Sequence, residues 1–190
     1  MKALLCETYG AAESLVIREL PDPNPGPGEV VITVKAAALN FFDTLIIQNR
    51  YQTKPPLPFS PAGECAGIIS AIGRDVEGWR IGERVAVWLG HGGAREKVAV
   101  SARAIVRVPD TLDDAQAAGL FVTYGTAMHG LIQRAGPKAG ETLAILGAGG
   151  GAGRNASPDL QGSLGREGRD DRNPRRPHGR QGAHRGNRPH

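Results

Sequence analysis

Along residues 1–110, short apolar runs alternate with breaks rich in glycine and proline. The runs are Ala3–Cys6, Ser14–Leu20, Glu29–Ala38, Gly67–Ile72, Arg84–Trp88, Lys97–Val100 and Ala104–Val108. Short strands spaced in this way predict an all-β barrel or sandwich. EVVITVKAAA over Glu29–Ala38 alternates well enough for a half-buried strand. The preceding PDPNPGPG is a stiff, extended lead, because proline fixes φ and removes ladder donors. A short helix is expected over Asn40–Gln48.

Beyond residue 110 the period changes. Thr111-Leu-Asp-Asp114 has the pattern of a capping box. The stretch through Gln133 is expected to be mostly helix, broken near Gly119 and stopped at Gly136 before Pro137. Glu141–Leu146 (ETLAIL) reads as a buried strand, with GAGGGAG directly after it.

The apolar pattern ends at Gly153. Residues 154–190 contain two Leu and no Val, Ile, Phe, Tyr, Trp, Met, Cys or Lys. They bury too little apolar surface to offset ordering entropy, so disorder is expected there. The division into domains is therefore 1–110, 111–153 and a basic tail, 154–190.

Charge supports the same division. The formal charge of the chain is +4. Residues 1–153 carry 14 Lys and Arg against 15 acidic residues, whereas 154–190 carry nine Arg against four acidic residues. The basic balance thus belongs to the tail. Three readings of that tail stay open: a nucleic-acid-binding arm, an inert extension, or an out-of-frame product of a GC-rich gene. No aromatic residue is there to stack on bases, which disfavours the first. The change of character inside a motif that requires a helix next favours the third.

Two cysteines, Cys6 and Cys65, are too few for a disulfide framework. No apolar run reaches the length of a membrane span, and the first residues lack the apolar core of a secretory signal. A soluble, cytoplasmic protein without a membrane partner is expected.

Dinucleotide sites place a glycine-rich turn between a strand and a helix N-terminus, so that the backbone approaches the pyrophosphate closely. Gly147, Gly149 and Ala152 match G-x-G-x-x-A, and Ala148, Gly150 and Gly153 match the A-x-G-x-x-G variant. Neither a second strand nor its terminal acidic residue follows, so only one edge of such a site is legible.

Four ordered segments together resemble the medium-chain dehydrogenase/reductase superfamily, in its zinc-independent quinone oxidoreductase (zeta-crystallin-like) branch. They are MKALLCETYG…LPDPNPGPGEVVITVKAAALNFFD, PFSPAGECAGIISAIGRDVEGWRIGERVAV, GGAREKVAVSARAIVRVPD and VTYGTAMHGL…AGETLAILGAGGGAG. The resemblance covers nearly all of residues 1–153 and none of 154–190. It implies a GroES-like barrel over 1–110, then helices and the first strand of an incomplete α/β Rossmann domain over 111–153. In the family the active site lies in the cleft between barrel and Rossmann domain.

The resemblance also implies site residues. Asn40 and Tyr51 match catalytic positions lining the nicotinamide and substrate cleft, where their N–H and O–H groups are donors. Tyr51 and Thr123 match positions beside the nicotinamide, and Gly150, Gly151, Ala152 and Gly153 match the pyrophosphate loop. Asn40 is also readable as a helix N-cap, Tyr51 as a loop aromatic, and Thr123 as a helix residue bonding back to its own turn. Asp43 reads as ordering the barrel–helix junction. In zinc-dependent relatives a Cys stands three residues before an Asp, and a His precedes the barrel Glu. Here Asn40 and Gly63 hold those places, so no zinc is expected. The implied cofactor is NADPH and the implied activity is hydride transfer to a small-molecule quinone. Two alternatives stand beside it: reduction of an activated C=C bond such as an enone, and a non-catalytic GroES-like module with a basic nucleic-acid-binding tail. Most of the coenzyme pocket has no counterpart in this sequence, so negligible activity is expected of the 190-residue chain.

Overall fold

A computed structural model describes residues 1–138, 141–147 and 149–153. The tail 154–190, expected to be disordered, and Ala148 of the glycine loop lie outside the described residues. Among the described residues seven strands form: β1 (Lys2–Leu5), β2 (Val16–Glu19), β3 (Glu29–Ala38), β4 (Glu64–Ile72), β5 (Arg84–Trp88), β6 (Lys97–Ser101) and β7 (Ile105–Arg107). Helix α1 is Phe41–Ile46, α2 is Asp114–Ala118 and α3 is Gly125–Met128. The five longer-range strands build an antiparallel sheet in the order β6-β3-β4-β5-β7. β1 and β2 pair as a separate antiparallel ribbon. This ribbon joins the β6 side through Leu4 N–H to Ala94 O and Glu96 N–H to Lys2 O. The result is the sheet-dominated domain with a few helices that the strand pattern predicts.

The core lies on one side of this sheet: Val30, Ile32, Cys65, Ile69, Val85, Val87, Val98, Val100 and Ile105. Strict alternation along β3 is not observed, since Val30, Val31 and Ile32 are all buried. The pairing of β3 with β4 shifts register between Val31 and Ile32. The extra residue there is Ser70 of β4, and Val30 and Ile32 face the same core; the second shift, between Val34 and Ala36, passes over Lys35 and turns Ala36 and Ala38 to the other face.

The other face of the sheet receives α2. Ala117 and Ala118 pack on Ala66, Ala86 and Val108, with Phe121 at the edge. Alanine on both sides lets the helix backbone approach the strands closely. The capping box of α2 lies two residues beyond the expected place: Asp113 accepts from Gln116 N–H at 2.7 Å, and Gln116 Oε1 accepts from Asp113 N–H at 3.0 Å. After Gly119 the backbone widens into π-type turns over Leu120–Tyr124 and again over His129–Ala135. Gly136, with φ 54°, ends the segment in the left-handed conformation expected of a helix stop.

Residues 141–146 (ETLAIL) do not form the expected strand. Ile145 rests against Ala127 and Leu131, while Thr142, Leu143, Ala144 and Leu146 are exposed. An apolar run becomes a strand only when neighbours complete its ladder. No strand among the described residues pairs with this one.

Candidate functional site

The site begins where β3 hands over to α1. Asn40, with φ −117° and ψ 166°, holds the N-cap position. Its backbone N–H donates to Asp43 Oδ2 at 2.8 Å. Asp43 is buried, and its Oδ1 accepts from Ala62 N–H at 3.1 Å. One carboxylate thus ties the start of α1 to the loop before β4, the ordering role expected of Asp43.

The side-chain nitrogen of Asn40 is not spent on the cap. Nδ2 donates to Glu64 Oε1 at 3.0 Å. Glu64 is the first residue of β4 and is 0% exposed. Its second oxygen accepts from the backbone N–H of Phe121 at 2.8 Å and of Val122 at 3.0 Å. An amide nitrogen has two N–H groups, so one Asn40 donor is left over. Thr123 follows directly, and its hydroxyl bonds to Gly119 O at 2.8 Å. Gly151 lies against it: a Cβ on Gly151 would stand 2.9 Å from Thr123 Cγ2. The structure therefore brings Asn40, Glu64, Thr123 and Gly151 into one continuous line.

Tyr51 reaches the site through aromatic contacts. Its ring lies 5.7 Å from that of Phe42, which in turn stands 5.7 Å from Trp88 in an edge-on arrangement. Trp88 pairs with Glu64 across the β4–β5 ladder. Among the described residues the Tyr51 hydroxyl has no hydrogen-bond partner. Phe42 also fills the space beside Gly63: a Cβ there would stand 2.5 Å from Phe42 Cζ and 3.0 Å from Trp88 Cζ3. A ligating side chain at that position has no room unless Phe42 moves. No group of three or more His, Cys, Asp or Glu among the described residues is placed to hold a metal ion.

The glycine loop is only partly joined to these groups. Gly150 N–H bonds to Gly147 O at 2.9 Å, closing a turn. Gly149 has open space where a Cβ would stand, and Gly151 is crowded by Thr123. A loop crowded on its protein side and open on the other suits close approach by a pyrophosphate. Ala152 is exposed and Gly153 half-buried.

Burial and charge set the titration of this region. Burial pushes the Asp43 carboxyl above its ordinary value, opposed by the N–H groups of Asn40 and Ala62 and reinforced by the charge of Glu64. A carboxyl raised in the fold stabilises it while protonated, and that contribution is lost as pH rises through the folded value. Urea denaturation between about pH 4 and about pH 7 should therefore show the stability of the wild type relative to Asp43→Asn falling as pH rises. A difference that stays flat or rises with pH contradicts this.

Burial, and then the charge of Glu64, push the Cys65 thiol up to about 12. Cys6 is raised by burial as well. Both cysteines are 0% exposed. Neither should react with a disulfide reagent near neutral pH in the folded chain, and both should react in denaturant. Fast labelling of the folded chain would show one of them to be accessible.

The sequence singled out Asn40, Tyr51, Thr123 and the glycines as candidates but not Glu64, which ties Asn40 to the turn before Thr123. A signal existed: a lone carboxylate inside the apolar run ECAGII. Such a group is buried only when hydrogen-bonded.

Residues 26–110 match the alcohol dehydrogenase GroES-like domain. The human quinone oxidoreductase is 34% identical over 155 residues, which are 80% of this chain and 47% of that protein. The mouse synaptic vesicle membrane protein VAT-1 homolog-like is 31% identical over 154 residues, 81% of this chain and 37% of that protein. A mycobacterial protein solved in complex with NADPH superposes with a TM-score of 0.77 at 28% identity, covering 87% of this chain and 51% of the other. The fold and site define a GroES-like domain of the alcohol dehydrogenase type. The chain belongs to the medium-chain dehydrogenase/reductase superfamily, whose quinone oxidoreductases and VAT-1 proteins are its relatives. It spans less than half the length of these two curated relatives. No helix among the described residues is long and apolar enough to cross a membrane.

Proposed function

We propose that the protein is a zinc-independent, NADPH-dependent reductase whose substrate is a small quinone. The observation that carries this reading is the unbroken line from Asn40 through Glu64 to Thr123 and Gly151. In the cleft that the family resemblance implies, this line would put a free amide donor on the barrel side and the glycine turn on the other.

NADPH, when bound, supplies the hydride. The protein's own part is to bind, orient and polarise. Gly150, Gly151, Ala152 and Gly153 would hold the pyrophosphate edge, and Thr123 would bound the nicotinamide side. The spare N–H of Asn40 and the hydroxyl of Tyr51 would point donors at the substrate oxygen as it gains charge. Phe42 and the exposed Trp88, packed edge to face, would add an aromatic wall beside a bound ring. Quinones suit a site without a metal, because the reduced ring spreads the negative charge and water can supply the proton. The aromatic wall favours a quinone over a small enone. The protein would work as a soluble cytoplasmic enzyme.

Titration with NADPH, followed by backbone amide shifts, tests the coenzyme part. Shifts are expected at Thr123, Gly150 and Gly151. A titration that moves no amide of this loop up to millimolar coenzyme would refute the reading. Turnover of a benzoquinone by the 190-residue chain is expected to stay at the uncatalysed level, because the described residues supply a single edge of a coenzyme pocket. Measurable turnover that disappears in an Asn40→Ala, Tyr51→Phe double variant would overturn that expectation while supporting the site.

A further inference from the structure

A buried carboxylate with no cation beside it needs a reason. Glu64 is 0% exposed and forms no ion pair among the described residues. Three N–H donors converge on it instead. One comes from Asn40 in the barrel, and two come from Phe121 and Val122, which lie 57 and 58 residues further along the chain. In an unbroken α-helix the last two would have bonded to carbonyls one turn back. Turned towards Glu64, they leave that ladder. α2 ends at Ala118, and the next turn, Leu120–Tyr124, takes the wide π form. Turns of that kind arise where something inserts into the helical ladder, and they recur at functional sites. This one holds Thr123.

We infer that Glu64 is a positioning residue: its carboxylate locks the Asn40 amide and the turn at Phe121 and Val122 into one unit, which fixes the spacing between the barrel donor and Thr123. The assignment rests on reading Asn40 and Thr123 as the two sides of the coenzyme cleft. The role demands a carboxylate. An ionised carboxylate only accepts, and it has lone pairs on both oxygens for both sets of donors. Glutamine has the same shape but turns an NH2 group towards one set, so it cannot satisfy Asn40 and the turn together unless Asn40 flips. A flipped Asn40 would present its oxygen to residue 64 and lose the polarity of the site. Apolar residues of similar size would fill the space and leave all three donors unpaired.

The lock predicts coupling between places far apart in sequence, which a simple buried plug does not. The experiment is amide hydrogen exchange on the 190-residue chain, with Val85 and Ala86 of β5 reporting in each variant that the sheet is intact. Asn40→Ala removes a side chain that touches neither Phe121 nor Val122 by hydrogen bond. It is nonetheless expected to speed exchange at both amides by roughly three- to tenfold, about the worth of one hydrogen bond. Asn40→Asp sets two carboxylates against each other and should speed it further. The double variant Asn40→Asp, Glu64→Gln reverses the polarity: the introduced side-chain amide donates to the new carboxylate, and its carbonyl oxygen still accepts from the turn. This variant is expected to return exchange at Phe121 and Val122 to within about threefold of wild type. Unchanged exchange at these amides in Asn40→Ala, or a double variant no better than Asn40→Asp, overturns the lock. If Asn40→Asp does not fold, the Asn40→Ala result decides alone. The coenzyme reading fails separately: exchange coupling intact, but no NADPH-induced shift at Thr123 or Gly151 in the wild type.

Discussion

Replacing Gly67 by alanine is expected to unfold the sheet, at a cost of about 3 kcal/mol or more. Gly67 lies in the middle of β4, between β3 and β5. A Cβ there would stand 2.1 Å from the backbone oxygen of Thr33 and 2.8 Å from Ile32 Cγ2. The first of these atoms belongs to the neighbouring strand's ladder, so relief requires β3 to move as a whole. β3 is also paired with β6 on its other edge, and Ile32 is part of the core. Gly78→Ala is the contrast. Gly78 has φ 76°, yet a Cβ there meets nothing within 4 Å. Its cost is conformational alone, about 1–2 kcal/mol. Urea melts of the two variants decide which effect dominates. Gly67→Ala no worse than Gly78→Ala would mean that β3 yields easily.

The strand pattern was legible because its punctuation was. β3 and β5 have the bounds that the apolar runs indicated, Glu29–Ala38 and Arg84–Trp88. β4 begins three residues before its expected start at Gly67. Glu64 breaks the apolar pattern ahead of Gly67, and the donors that let it be buried come from a distant segment. The capping box slipped by two residues because Thr111 and Asp113 are both good caps, and the packing of Ala117 and Ala118 on the sheet chooses between them. The strand expected over residues 141–146 depends on partners, which no local pattern can supply. Within the site, the family resemblance pointed to Asn40 and Tyr51, but the links that reach them, a hydrogen bond to Glu64 and ring packing on Phe42, are three-dimensional. No period in the sequence encodes them.

Joining residues 1–153 to the part of the human quinone oxidoreductase that lies beyond the matched segment is expected to give NADPH-dependent reduction of a benzoquinone. In that hybrid, Asn40→Ala should lower kcat by about 10²–10³, the usual cost of losing one donor to a developing oxyanion. The size of the effect follows from the geometry. Asn40 has one N–H committed to Glu64 and one spare, and its backbone is pinned at the start of α1 by Asp43. The spare donor is therefore held in place before the substrate arrives, and little is lost to reorganisation as charge develops. Tyr51→Phe should cost less, about tenfold, because Tyr51 is held by ring packing on Phe42 rather than by hydrogen bonds, so its hydroxyl is less firmly aimed. KM for the quinone should change little in Asn40→Ala, since a donor that acts on the developing charge strengthens the transition state more than the bound quinone. A hybrid with Asn40→Ala whose kcat stays within about threefold of the parent, or whose loss is confined to KM, removes Asn40 from the chemistry and leaves it only the role of Glu64's partner.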